Sequence, residues 1–309
     1  MDIALMIEGQ DGLTWSRWRR LARAAEALGF AGLFRSDHFT NPNPPNKASL
    51  ELWVSLTWLA DNTERIEFGP LVTPMSFRHP VFTARKGKDI DALSEGRFTL
   101  GVGGGWQQRE HEMFGFPLLK GDGRFDRFEE GVEVIHKLLR VEGPVSFDGE
   151  YFQLSEAELL PRLPDRARPP LLIGGNGRQR TLPLVARYAD EWNGVFIQAD
   201  EYEALNHHLD DLLAQSNRPL ESVRRSVMTN ILFAITPQEL AKKAAGRGRK
   251  LADFEDGPEI FGVGDEVITK IDRYRQAGAQ RIMLQWLEQD DLDGLQALAE
   301  IVLPEFHDS

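Results

Sequence analysis

The 309-residue chain contains no cysteine. That excludes disulfides, thiolate zinc sites, iron–sulfur clusters and a cysteine nucleophile, and leaves the redox compartment open. Long apolar runs are missing as well: no stretch approaches the ~18 residues of a membrane span. The opening MDIALMIEGQDG carries no basic segment ahead of its apolar one, so a cytoplasmic protein without membrane association is expected. Basic residues are outnumbered, 36 against 48 acidic ones, for a formal net charge of −12. Spread along the chain, this charge favours solubility by self-repulsion and argues against nucleic acid as a partner. Metal and nucleophile signatures are also lacking. There is no HExxH, no EF-hand spacing among the acidic residues 288–293, no GxSxG, and no lysine in a setting that would lower its pKa.

What is present is an alternation of short apolar runs with amphipathic segments. IALMI (3–7) stops at Glu8-Gly9 and reads as a strand buried on both faces. Thr14 then caps a helix in which Trp18, Leu21, Ala22, Ala25 and Leu28 recur at helical spacing, with Gly29 after its last turn. The unit repeats. Strands are expected at 31–34, 66–73, 97–103, 171–175, 191–197, 226–235 and 281–287. Helices are expected at about 48–61, 80–93, 122–140, 178–188, 200–215, 265–277 and 290–301. Eight such units predict an α/β fold, a single (β/α)₈ TIM barrel over residues 1–309, with an open doubly wound sheet as the alternative. Two stretches break the rhythm and read as insertions. One is 141–170, a hairpin turning at Asp148-Gly149 before a proline-rich link, and the other is 236–264.

Active sites of such barrels gather at the C-terminal ends of the strands, so the residues just past each apolar run are the candidates. They are Glu8, Asp37-His38 in SDHF, VTPMSFRHP (72–80), GVGGGW (101–106), GGNG (174–177), Trp192-Asn193 and Gln285-Trp286. The two glycine clusters stand at strand-to-helix turns, where exposed N–H groups favour an anion such as the phosphate of a cofactor. Neither is a Rossmann fingerprint or a P-loop, and glycine in a tight turn is their plain alternative. Arg178 and Arg180 beyond GGNG point that cluster towards anions. Asp37-His38 offers a carboxylate and an imidazole side by side, suited to moving one proton near neutral pH. His79, His111 and the pair His207-His208 read as structural. Trp106, Trp192 and Trp286, with Glu8, are candidates for the wall of a substrate pocket.

Taken in order, GFAGLFRSDHF, LVTPMSFRHP, DALSEGRFTLGVGGGW, Phe114-Gly115, RFDRFEEGVEVI, PPLLIGGNG and ARYADEWN resemble the bacterial luciferase-like superfamily. More closely, they look like its branch that uses coenzyme F420, a deazaflavin. The resemblance implies a (β/α)₈ barrel with an insertion region, a flavin or deazaflavin at the C-terminal mouth, and a homodimer. It places Asp37 and His38 beside the ring, His38 to move a proton and Asp37 to orient it or bond the ring edge. It also implies a non-prolyl cis peptide near Pro70-Leu71, with Leu71, Val72 and Thr73 contacting the cofactor. Gly103, Gly104 and Gly105, with Gly174, Gly175, Asn176 and Gly177, would approach its tail. One departure stands out: Trp106 occupies the position of the glutamate acid found in sugar-phosphate dehydrogenases of this branch. The implied activity is hydride transfer between F420 and a small organic substrate. The alternative is an FMN-dependent monooxygenase supplied with reduced flavin by a reductase partner. A cofactor-binding barrel without turnover is the non-catalytic reading.

Overall fold

Strand β1 (Asp2–Ile7) is buried from Ile3 onwards, as an unbroken apolar run predicts for a parallel strand covered on both faces. Helix α1 (Trp15–Leu28) follows, with Thr14 accepting from Arg17 N at its start and Gly29 left-handed at its end. Its buried residues are Trp18, Leu21, Ala22 and Ala25, the stripe read from sequence. The computed structural model describes residues 1–161, 168–255 and 257–306. Within them the chain continues through β2 (Gly32–Arg35), α2 (Leu52–Asn62), β3 (Glu67–Pro70), β4 (Thr73–Pro74), α3 (Pro80–Leu93), β5 (Leu100–Gly103), α4 (Gln108–Phe114) and α5 (Gly121–Arg140). Then come β6 (Val145–Asp148), β7 (Gln153–Ala157), β8 (Leu171–Gly174), α6 (Thr181–Tyr188), β9 (Glu191–Val195) and α7 (Ala199–Gln215). The chain closes with β10 (Arg224–Phe233), α8 (Pro237–Gly246), β11 (Ile260–Gly262), α9 (Asp265–Gln276), β12 (Arg281–Gln285) and α10 (Leu292–Phe306).

The main sheet runs β3-β2-β1-β12-β10-β9-β8-β5-β4, all parallel. Its ends meet where Phe68 bridges Phe98 and Thr99 N donates to Phe68 O at 2.9 Å. The strand expected at 66–73 is divided into β3 and β4, and the cis peptide lies at Leu71-Val72, one residue beyond the expected bond. Counting β3 and β4 as one interrupted strand gives the eight-stranded barrel that the alternation predicts. Helix α2 starts later than the expected 48 because Glu51 caps it, its side chain accepting from Val54 N at 2.7 Å.

In the first insertion β6 and β7 form an antiparallel hairpin in which Asp148 pairs with Gln153. Residues 162–167 of the proline-rich link lie outside the described residues. The second insertion contributes α8 and β11, which extends the sheet by pairing with residues 231–233 of β10.

Alternation along the strands divides each into two faces. Ala4, Met6, Phe34, Leu71, Leu172, Met228 and Met283 turn inward and fill the barrel, while the outward residues pack under the helices. The N-terminal end is sealed by charge. Arg281, fully buried, binds Glu67 and lies 3.3 Å from buried Glu191 and 3.5 Å from Asp2. Burial pushes the Glu191 carboxyl up, with Arg281 opposing. The C-terminal end is left open for a site.

Candidate active site

A cavity of about 460 Å³ opens at the C-terminal mouth. Met6, Leu71, Val72 and Met228 line its base, Gly103, Gly104, Gly105, Gly174 and Gly175 one side, and Glu8, Ser36, His38 and Asn193 another, with Trp106 and Phe196 at the rim. A second cavity of about 510 Å³, between α7, α9 and β11, shares none of these residues. Among the described residues no cluster of three or more histidine or acidic side chains forms a metal site. No described helix is long and apolar enough to cross a membrane.

His38 is the titratable centre of the mouth. Its Nδ1 lies 2.8 Å from Glu110 Oε1, and the other Glu110 oxygen accepts from Phe39 N at 2.9 Å. Glu110 is fully buried and the His38 side chain is 14% exposed, so this pair is largely shielded from water. Burial by itself would lower the imidazole pKa, but the hydrogen bond and charge of Glu110, helped by Glu8 and Asp37, outweigh it and raise the value above 6.5. With Nδ1 held by a carboxylate, Nε2 is the nitrogen left to exchange protons. Helix α4, which carries Glu110, is pinned by aromatic packing. Phe39 lies 4.7 Å from Phe114 and 5.1 Å from Phe77, and Phe77 lies 4.9 Å from His111. His111 bridges Gln107 O and Ser76 Oγ at 2.7 Å each, the structural role read for it.

The structure brings Glu8, His38, Leu71, Val72, Trp106 and the glycines 103–105, 174 and 175 together at the mouth. Asp37 is a correction. It points away from its neighbour His38, as adjacent residues of an extended segment do. Its carboxylate is taken by Arg78 and by Thr73 Oγ1 at 2.7 Å, which also turns Thr73 from the cavity. Trp192 and Trp286 are corrected for the same reason. Trp192 stacks on Tyr202 of α7 at 5.1 Å and donates to Gly175 O, and Trp286 donates to Glu288 O. Both are fully buried under helices, and their inward neighbours are Asn193 and Gln285. Asn176 holds the end of β9, with hydrogen bonds of 2.7 and 2.9 Å to Val195 O and N. Gly177 packs below Thr181, where a Cβ would come within 2.8 Å of Oγ1. Arg180 is committed to Asp126, leaving it unavailable as an anion anchor.

Glu110, Met6 and Met228 are the site residues that motif reading passes over. Strand alternation could have found the last two, Met6 two residues past Ala4 on β1 and Met228 two past Ser226 on β10. No local signal marks Glu110, 72 positions from its partner.

The glycine wall has a steric cause. A Cβ on Gly103 would sit 2.5 Å from Val72 Cγ2, and one on Gly174 3.3 Å from Val72 Cγ1. Gly175 adopts φ +132°, which side chains disfavour. Gly103→Ala is expected to destabilise by about 1–3 kcal/mol, and Val72→Ala in the same chain to recover most of that loss. Urea unfolding of the single and double variants measures the coupling; purely additive losses would mean that the two residues do not press on each other.

A parallel eight-unit barrel with a histidine–glutamate pair at an apolar, glycine-walled mouth defines a (β/α)₈ enzyme. The chain belongs to the luciferase-like monooxygenase family of oxidoreductases, whose sequence model matches residues 4–295. It is 30% identical over 229 residues to an F420-dependent glucose-6-phosphate dehydrogenase of Intrasporangium calvum, covering 69% of this chain and 64% of that protein. It is 25% identical to an FMNH₂-dependent dimethylsulfone monooxygenase of Pseudomonas putida, covering 81% and 66%. The chain thus spans slightly less than two thirds of the length of these curated relatives. Its fold is similar to that of an F420-dependent secondary alcohol dehydrogenase, with a TM-score of 0.85, 18% identity and 99% of each chain covered. Its relatives therefore include users of F420 and of FMN.

Proposed function

We propose that the protein is a coenzyme F420-dependent oxidoreductase that moves hydride between the deazaflavin and a small organic substrate. The observation that carries this reading is the His38–Glu110 pair, a proton-transfer group held at a mostly apolar mouth. The residues present fit a flat ring system. Leu71 and Val72 offer it an apolar face, and Gly103 and Gly174, which pack against Val72 without side chains, keep the adjoining wall flat. Asn193 directs its amide nitrogen to Ser226 Oγ at 2.9 Å and keeps Oδ1 without a donor, an acceptor for a ring N–H. For a phosphorylated tail, Arg124 and Arg127 of α5 stand behind Gly104 around a narrow crevice of about 10 Å³ that a phosphate would have to widen, and among the described residues neither has a carboxylate partner.

When bound, coenzyme F420 supplies a carbon centre that gives or takes hydride. The chain supplies placement, water exclusion and the proton. His38 Nε2 takes the proton of a substrate hydroxyl, or returns it to a carbonyl oxygen in the opposite direction, and Glu110 holds the imidazole and balances its charge.

The apolar lining and the dimethylsulfone monooxygenase relative favour a second reading, an FMN-dependent monooxygenase served by a reductase partner. Titration of the purified protein with F420 and separately with FMN, followed by fluorescence and equilibrium binding, distinguishes them. F420 is expected to bind far more tightly. A preference for FMN would overturn the proposal and remove the assigned role of His38.

A further inference from the structure

We infer that the mouth selects an uncharged substrate, an alcohol or carbonyl compound on an apolar frame, and rejects the carboxylated or phosphorylated form of the same molecule. This rests on the oxidoreductase reading above and adds the substrate class to it.

The two halves of the mouth differ in charge. On the half built from the ends of β1, β2, β10 and β12, Glu8 lines the cavity with a carboxylate that forms no salt bridge among the described residues; the buried Arg35 guanidinium near it donates instead to Ser36 O, Leu50 O and Ser55 Oγ. The Glu8 oxygens accept from two neutral amides, Gln285 Nε2 and, at 2.5 Å, Gln10 Nε2. Gln10 is itself fixed by Ser36 Oγ at 2.7 Å, so the carboxylate is held in place. Cations border this half but are already committed. Lys47 binds Asp11 and Arg78 binds Asp37. Lys243 lies 2.7 Å from Asp291, and Arg247 2.7 Å from Glu288. An anionic substrate group would have to break one of these pairs while facing Glu8 across a poorly hydrated cavity, where like charges repel more strongly than in water. Arg124 and Arg127, which have no carboxylate partner among the described residues, lie behind Gly104 on the opposite side, where they suit the anionic tail of a cofactor. Among the described residues no lysine or arginine lines the cavity itself.

The remaining wall of the cavity is mostly apolar. Trp106, 60% exposed, stands edge-on to His38 at 5.6 Å, and Met228, Val195 and Phe196 continue the surface. A hydroxyl can donate to Glu8 or to His38, and a carbonyl oxygen can accept from protonated His38, while a hydrocarbon frame covers the apolar side chains and gains their desolvation.

The test uses matched pairs that differ by one carboxylate: cyclohexanol against hydroxycyclohexanecarboxylate, and phenylethanol against hydroxyethylbenzoate. Turnover is followed with the F420-loaded enzyme, and binding by ligand-observed NMR with and without the cofactor. The neutral member of each pair is expected to be favoured by roughly 10²-fold in kcat/KM and by a similar factor in affinity. Glu8→Gln should narrow that gap by about tenfold by removing the repulsion. Equal or preferred binding of the carboxylates would overturn the inference while leaving the F420 reading intact. Absence of F420 binding would sink that reading, and the NMR comparison on the free protein would still decide the charge preference.

Discussion

His38→Ala lowers turnover by on the order of 10²-fold or more while leaving cofactor affinity close to that of the parent. The imidazole lines the cavity, its Nδ1 is engaged by Glu110 and its Nε2 is without a partner among the described residues. Removing it deletes the proton-transfer group and leaves the apolar base and glycine wall in place. The pH profile carries the same information. A base must be unprotonated to take a hydroxyl proton, so alcohol oxidation rises with pH through a midpoint above 6.5, because the His38 pKa is raised. Carbonyl reduction needs the protonated ring and falls through the same midpoint. Steady-state kinetics with a cofactor titration alongside check both statements, and a fully active His38→Ala would remove the residue from the mechanism.

The second large effect belongs to Glu110, as a positioning residue. Glu110→Ala should cost about 3 kcal/mol or more of stability, because it strips a buried partner from His38 and leaves Phe39 N–H unsatisfied. Glu110→Gln preserves the shape and removes the charge. It should move the activity midpoint to lower pH, which a purely structural role would not do. The linkage has a definite sign. A raised histidine pKa contributes stability that is fully present below the ordinary value of 6.5 and fades as pH rises through the folded-state value. The stability gap between parent and Glu110→Gln should therefore be wide at acidic pH and shrink on the alkaline side in urea unfolding. Identical activity midpoints in the two proteins would show that the carboxylate does not set the imidazole.

Local signals made much of the fold legible. The unbroken apolar run of β1, the Thr14 cap and Gly29 stop of α1 and the boundaries of α3 at 80–93 all stand where composition and spacing put them. The strand ends likewise pointed to Glu8, His38 and both glycine clusters. The errors share one cause. In SDHF, EWN and QW the motif names both members of an adjacent pair, but a strand turns successive side chains to opposite faces. His38, Asn193 and Gln285 go inward, whereas Asp37, Trp192 and Trp286 go outward.

The sequence by itself determined the alternation of strands and helices, the barrel that eight such units close, and the end of the barrel where a site would lie. These follow from interactions between residues a few positions apart, and each leaves a periodic trace in the chain. The tertiary structure alone decided that Glu110 holds His38, that Val72 sets the need for Gly103 and Gly174, and that Glu8 faces the cavity held by two neutral amides. Such contacts join residues tens to hundreds of positions apart. Their energy depends on distance and burial after closure, for which separation along the chain carries no signal.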